Sequence, residues 1–133
     1  QKSENIRTMY GDEIQIIARM PCLGRFEALA NLVHKAPNRQ VLSVSRNIIP
    51  AAYATYCERP SEISKYIDNL VRLNLLYKPA GQQVDEASYR ALGRMPFVKR
   101  LMTQAPSPLI AALEREAVGV SDLGEGFRQA CIA

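Results

Sequence analysis

Residues 61–81, SEISKYIDNLVRLNLLYKPAG, form the most regular stretch of the chain. Ile63, Ile67, Leu70 and Val71, joined by Tyr66 and Leu73, recur at helical spacing and make one broad apolar stripe. Lys65, Asp68, Asn69 and Arg72 occupy the opposite side. Ser61 follows Pro60 and suits the N-cap, where a hydroxyl accepts from a backbone N–H of the first turn. Asn74 suits the exit, because Asn tolerates left-handed backbone better than most residues. The spacing therefore predicts a helix over 61–74 that passes through LLYKP into an extended segment and a turn at AGQQ.

Outward from this helix, YGDEIQIIARM (10–20) predicts a helix stopped by Pro21, with residues 1–9 polar and frayed. RFEALANLVHKA predicts a second helix at 25–36, with Phe26, Leu29, Ala30 and Val33 on one face and Pro37 ending it. RQVLSVS reads equally as a short strand or a loop. A helix is expected from Ile49 to Cys57, with Pro50 in its first turn. DEASYRAL starts another near Asp85, Gly93 and Pro96 bracket a break, and FVKRLMTQ continues the helical pattern. Ser107 and Pro108 suit the start of a further helix. Val118–Val120 is a strand candidate, and Ser121 caps a last helix. Gly124 and Gly126 each weaken that helix by about 1 kcal/mol relative to alanine, and such glycines often permit close packing.

The order of helices at 25–36, 48–57 and 61–74 matches a winged helix. Leu75–Lys78 would pair with 117–120 as a small β-wing, and 85–113 would be a helical insertion. The expectation is one mainly α domain over 1–133, with a winged-helix-like core at 25–80 and 117–132. Because the chain starts at Gln1 rather than Met, it reads as a segment of a longer protein.

Composition adds bounds. The chain has 133 residues, 47% hydrophobic and 23% charged, which can supply a core without staples. No apolar run approaches the roughly 20 residues that span a bilayer, so a cytoplasmic domain without a membrane span is expected. The net charge of +4 is spread among 13 acidic residues, with no block of like charges, as on an ordinary solvated surface. Three scattered cysteines, Cys22, Cys57 and Cys131, predict neither zinc nor a disulfide framework but buried free thiols.

Catalytic constellations are missing. His34 is the single histidine, and its place in NLVHKA fits a surface or boundary role better than a base acting on Cys57 or Cys131. No phosphate loop, nucleophile elbow or metalloprotease motif occurs. A non-enzymatic domain without cofactor or metal is expected. Tyr53, Tyr56, Tyr66 and Tyr77 read as core-edge residues with hydroxyls in water rather than as base-stacking platforms. Lys65 and Arg72 suit phosphate contact, and Asn69 could pair with adenine, but Asp68 between them would be repelled by a DNA backbone.

Two segments resemble a known family. YIDNLVRLNLL (66–76) is similar to the YIDNLIRLGLI-like core of the Abi-alpha family, bacterial proteins linked with phage abortive infection. VSDLGEGFRQACI (120–132) is similar to its ending, roughly LTPFGRAFIEACI. Gly124, Phe127, Ala130 and Cys131 match, with Leu123 at the usual aromatic, and YRAL (89–92) fits the middle loosely. Asn74 departs from a usual glycine, and Ser121-Asp122 from Thr-Pro. The resemblance implies a mostly helical bacterial domain in phage defence, acting through a protein partner or as a homo-oligomer, and carries over no catalytic residue. The alternative is a winged-helix DNA-binding regulator reading through Lys65, Asn69 and Arg72.

Overall fold

The computed structural model describes residues 2–132, with side chains from Gly11 to Cys131. Among the described residues, five helices and four strands follow in the order α1 (Lys2–Arg19), β1 (Glu27–Lys35), β2 (Val41–Ile48), α2 (Ile63–Arg72), β3 (Leu76–Tyr77), α3 (Glu86–Gly93), α4 (Pro96–Met102), β4 (Ile110–Val120) and α5 (Asp122–Ile132). Two 3₁₀ turns, Ala51–Tyr56 and Pro60–Glu62, join β2 to α2. The strands form one antiparallel sheet in the order β2-β1-β4-β3.

This overturns the mainly α, winged-helix-like expectation, since the centre of the molecule is a sheet with helices on both faces. The segment expected as a helix at 25–36 is β1, and Ser107-Pro108 precedes β4 rather than a helix. β4 follows β1 without interruption from Glu27 opposite Val118 to Lys35 opposite Ile110. The misreading has a physical cause. Ala28 to Val33 are six consecutive buried residues, because β1 is covered on both faces. A strand buried on both sides loses the apolar–polar alternation and resembles a buried helix. Helix propensities among these residues differ by at most ~0.7 kcal/mol each. Burying Leu29 and Leu32 contributes about 1.5–3 kcal/mol apiece. Tertiary burial decides the outcome.

Side chains of β1 alternate between two cores. Leu29 joins Ile16, Ile17, Tyr66, Ile67 and Leu70 of α1 and α2. Ala28, Ala30 and Leu32 face Tyr89, Leu92 and Val98 of α3 and α4. Other expectations hold locally. Asn74 is left-handed, at φ 61°, where α2 ends. Leu76–Tyr77 pair with Val120 and Gly119, but as the edge of the larger sheet instead of a wing. α3 and α4 are separated at Gly93 and Pro96. Ser121 accepts from the Gly124 N–H at 2.9 Å, capping α5. Ser61, by contrast, lies in the 3₁₀ turn and leaves the N-cap position of α2 to Glu62. The helix expected at 49–57 is the first 3₁₀ turn, and helix α1 already begins at Lys2, in the stretch expected to fray. Gln1 lies outside the described residues.

The two glycines of α5 differ. A Cβ on Gly124 would lie 1.9 Å from the Leu75 carbonyl oxygen, whereas one on Gly126 would meet nothing within 4 Å. Gly124 thus allows α5 to dock on the strand that leaves α2. Gly124→Ala is expected to destabilise the fold by about 3 kcal/mol. Gly126→Ala should stabilise it by up to ~1 kcal/mol. Urea unfolding of both variants checks this; equal effects would contradict the close approach.

Candidate functional site

β2 is an edge strand, and its path changes at Asn47. This residue has φ 57°, a region that asparagine enters more readily than most side chains. It is 2% exposed and fully engaged. Its backbone N–H donates to Asn31 Oδ1 at 2.9 Å. Its Nδ2 donates to the Ser64 carbonyl at 3.0 Å and to Asp68 Oδ1 at 2.9 Å. Its Oδ1 accepts from Lys78 Nζ at 2.7 Å. Asn31 in turn donates to the Glu116 carboxylate, and Lys78 lies 3.9 Å from the same carboxylate. Arg46 grips Asp68 with two hydrogen bonds, at 2.9 and 3.1 Å. The network ties β1, β2, β4 and the segment after β3 to α2. Satisfied polar groups of this kind specify one arrangement, because each lost partner would leave a desolvated group unpaired.

Beyond the kink, β2 opens onto a groove of about 430 Å³. Its floor is the β2 edge from Ser45 to Ile49. One wall is the 3₁₀ turn and the start of α2, with Ala51, Ala54 and Ile63, and the other is Met95 and Phe97 at the α3–α4 corner. Arg46 is the only ionisable lining residue, and Asp68 already neutralises it. An apolar trough beside a strand edge suits an extended segment, which supplies backbone partners to the edge and apolar side chains to the walls.

The residues singled out on α2 lie elsewhere. Lys65 is exposed and pairs with Glu62 at 3.2 Å. Asn69 donates to Glu13 Oε2 at 2.8 Å, binding α2 to α1, and Arg72 donates to Asn69 Oδ1 at 2.5 Å. Burial pushes the Glu13 carboxyl up, against the lowering effect of Asn69 and Arg72. Asn69 is therefore held by α1, and the three residues do not form one cluster.

Other candidates move inward or outward. Tyr53 and Tyr66, expected to reach water, donate internally instead, to Glu27 at 2.8 Å and to Asp12 at 2.9 Å. Burial, followed by these carboxylates, raises both phenols far above their ordinary range. Asp12 is a buried acceptor for the Glu58 and Arg59 N–H groups as well, at 2.8 and 2.9 Å. Tyr56 and Tyr77 are exposed, with the Arg19 guanidinium over the Tyr56 ring. Cys22 and Cys131 are exposed rather than buried, and Cys57 is half-buried. Burial and then the charge of Asp12 raise the Cys57 thiol. His34 sits on β1 opposite Leu42 and Ala111, with Nε2 enclosed and unbonded among the described residues. Among those residues, no group of three or more His, Cys, Asp or Glu could hold a metal ion.

Asn31, Asn47 and Asp12 were not apparent as site residues from sequence. A lone asparagine inside the apolar run LANLV is the one available signal, because such a group must find a partner when buried.

The fold and groove define a class: a sheet sandwiched by helices, with one strand edge open beside an apolar trough. The abortive infection alpha family model matches residues 3–131, and the chain belongs to that family. No curated protein sequence matches it. A solved structure of an uncharacterized protein from the hydrocarbon-degrading marine bacterium Alcanivorax borkumensis SK2 shares the fold, with a TM-score of 0.54 at 20% identity. The alignment covers 92% of this chain and 86% of that one. No described helix is long and apolar enough to cross a membrane.

The Asp68 carboxyl sits in opposing fields. Desolvation raises it, but hydrogen bonds from Arg46 and Asn47 and the charges of Arg46 and Lys78 outweigh that and hold it below its ordinary value. A depressed carboxyl stabilises the fold fully above its unfolded pKa, near 4, and loses that contribution as pH falls through the folded value. Asp68→Asn should therefore be less stable than wild type at pH 7 and should show a shallower decline below about pH 5. Denaturant midpoints across that range check it; parallel curves would contradict it.

Proposed function

We propose that this chain acts in abortive infection as a non-enzymatic protein-interaction domain, and that the groove along β2 is its docking site. The observation that carries the reading is the apolar trough of about 430 Å³ beside an unpaired strand edge. The groove walls offer no nucleophile–base pair: serines 45, 61 and 64 line it without a histidine or carboxylate among them. Family membership supports the phage-defence context. Strand addition takes its affinity from main-chain hydrogen bonds and its selectivity from the side-chain pockets beside the edge.

Ala51 is exposed and lines the groove, so Ala51→Arg fills the trough without disturbing the core. The complete gene carrying this change should fold normally but lose protection against phage, giving plating efficiencies like those of a deletion strain. Wild-type protection by the folded variant would remove the groove from the function. Equal plating on wild-type and deletion strains would remove the defence role.

A further inference from the structure

We propose that the end of the sheet around Lys35 and Ile110 docks on the surface of a bilayer rich in anionic lipid. This surface is separate from the groove, which begins at Ser45 and lies toward the other end of β2. Charge is segregated in this protein. Residues 28–57 and 87–113 hold seven Lys and Arg and no Asp or Glu; the other ten Lys and Arg share the rest of the chain with all 13 acids. The net charge of +4 therefore arises in these two stretches, although neither contains a block of like charges. The fold joins them. Lys35 lies opposite Ile110 across β1 and β4, and Ala30 and Leu32 share a core with Leu92 and Val98. Lys35, Arg39, Lys99 and Arg100 are exposed, and none of them has an ion-pair partner among the described residues.

What lies between the cations selects the partner. Val41 and Ile110 flank Lys35 as its cross-strand neighbours on one face, and Leu42 follows on the other. These three aliphatic side chains are 49%, 70% and 53% exposed. Lys99 and Arg100 stand in the last turn of α4, and from Leu101 to Leu113 the chain carries no charge. Exposed aliphatic groups gain by entering the boundary between lipid headgroups and acyl chains, where Lys and Arg reach the phosphates with their stems laid along apolar surface. Beside a hydrated nucleic-acid backbone the same aliphatic groups gain nothing. Residues 34–46 and 98–113 contain no Phe, Tyr or Trp on which the bases of a single strand could stack. A cation close to an anionic bilayer strengthens binding about fivefold. Four unpaired cations around an aliphatic cluster match such a surface in both charge and apolarity.

Co-sedimentation with vesicles tests this. The purified protein should pellet with vesicles of equal parts phosphatidylglycerol and phosphatidylcholine, and not with phosphatidylcholine alone. Its binding should weaken as salt rises. Lys99→Gln with Arg100→Gln should lower the affinity about 30-fold. Lys65→Gln with Arg72→Gln removes the same charge from α2 and should leave the affinity within about twofold. Leu42→Ser with Ile110→Ser should weaken binding without altering its salt dependence, because these side chains contribute burial rather than charge. All six side chains are exposed, so each variant should keep the wild-type circular dichroism spectrum. Failure to pellet with phosphatidylglycerol overturns the inference. Equal losses in the two glutamine pairs also overturn it, since net charge alone would then account for binding. If a DNA duplex binds as tightly at the same salt, and the serine pair changes neither affinity, the surface serves nucleic acid and the inference fails.

Discussion

β1 is hydrogen-bonded along both edges and buried on both faces, and the rest of the molecule is arranged around that constraint. Its N–H and C=O groups are removed from water and must be paired, which β2 and β4 accomplish. Its side chains point alternately into two cores, so neither helix layer is dispensable. α1 and α2 cover Leu29 on one side, and α3 and α4 cover Ala28, Ala30 and Leu32 on the other. The small residues Ala28 and Ala30 let the second layer approach the sheet closely.

Inside that frame, polar residues fix positions that apolar packing leaves free. Apolar contacts are non-directional and would tolerate a slide of α2 along the sheet. Asn47, through Ser64, Asp68 and Lys78, does not tolerate it, because each displaced partner leaves a buried group unsatisfied. Asp12 does the same for the turn before α2, where one carboxylate holds two backbone N–H groups and the Tyr66 hydroxyl. Lys78 and Glu116 extend the first network across the sheet. The groove is a by-product of this fixation: β2 bends at Asn47, and the walls are set by where α2 and α4 are held.

Parts of this were legible from residue patterns. Within the 61–74 stretch, Ile63–Arg72 forms α2 with Tyr66, Ile67 and Leu70 buried, and Asn74 follows its end in the left-handed conformation that its backbone tolerance suggests. Ser121 and Gly124 behave as cap and close-packing residue. The Abi-alpha resemblance in 66–76 and 120–132 also stands at the level of family. Those two segments touch in the fold, since Gly124 lies against Leu75 and Ser121 donates its N–H to the Leu75 carbonyl at 3.1 Å. The resemblance therefore follows one packed junction.

The sequence by itself determined the local signals: an amphipathic surface helix, breaks at proline, a left-handed asparagine, a serine cap and the family. All but the family depend on interactions within a few residues and leave a short-range trace; the family signal lies in two segments that meet at one packed junction. Only the tertiary structure decided that 27–35 is a strand and that the strand candidate near 118–120 extends back to Ile110, that Asn31 and Asn47 meet Asp68, Lys78 and Glu116, and that an apolar groove opens beside β2. Ala, Leu and Glu in those strands carry weak helical preferences, worth tenths of a kcal/mol each. Partners far apart in the chain supply burial and hydrogen bonding several times larger, and no local pattern records where those partners will be.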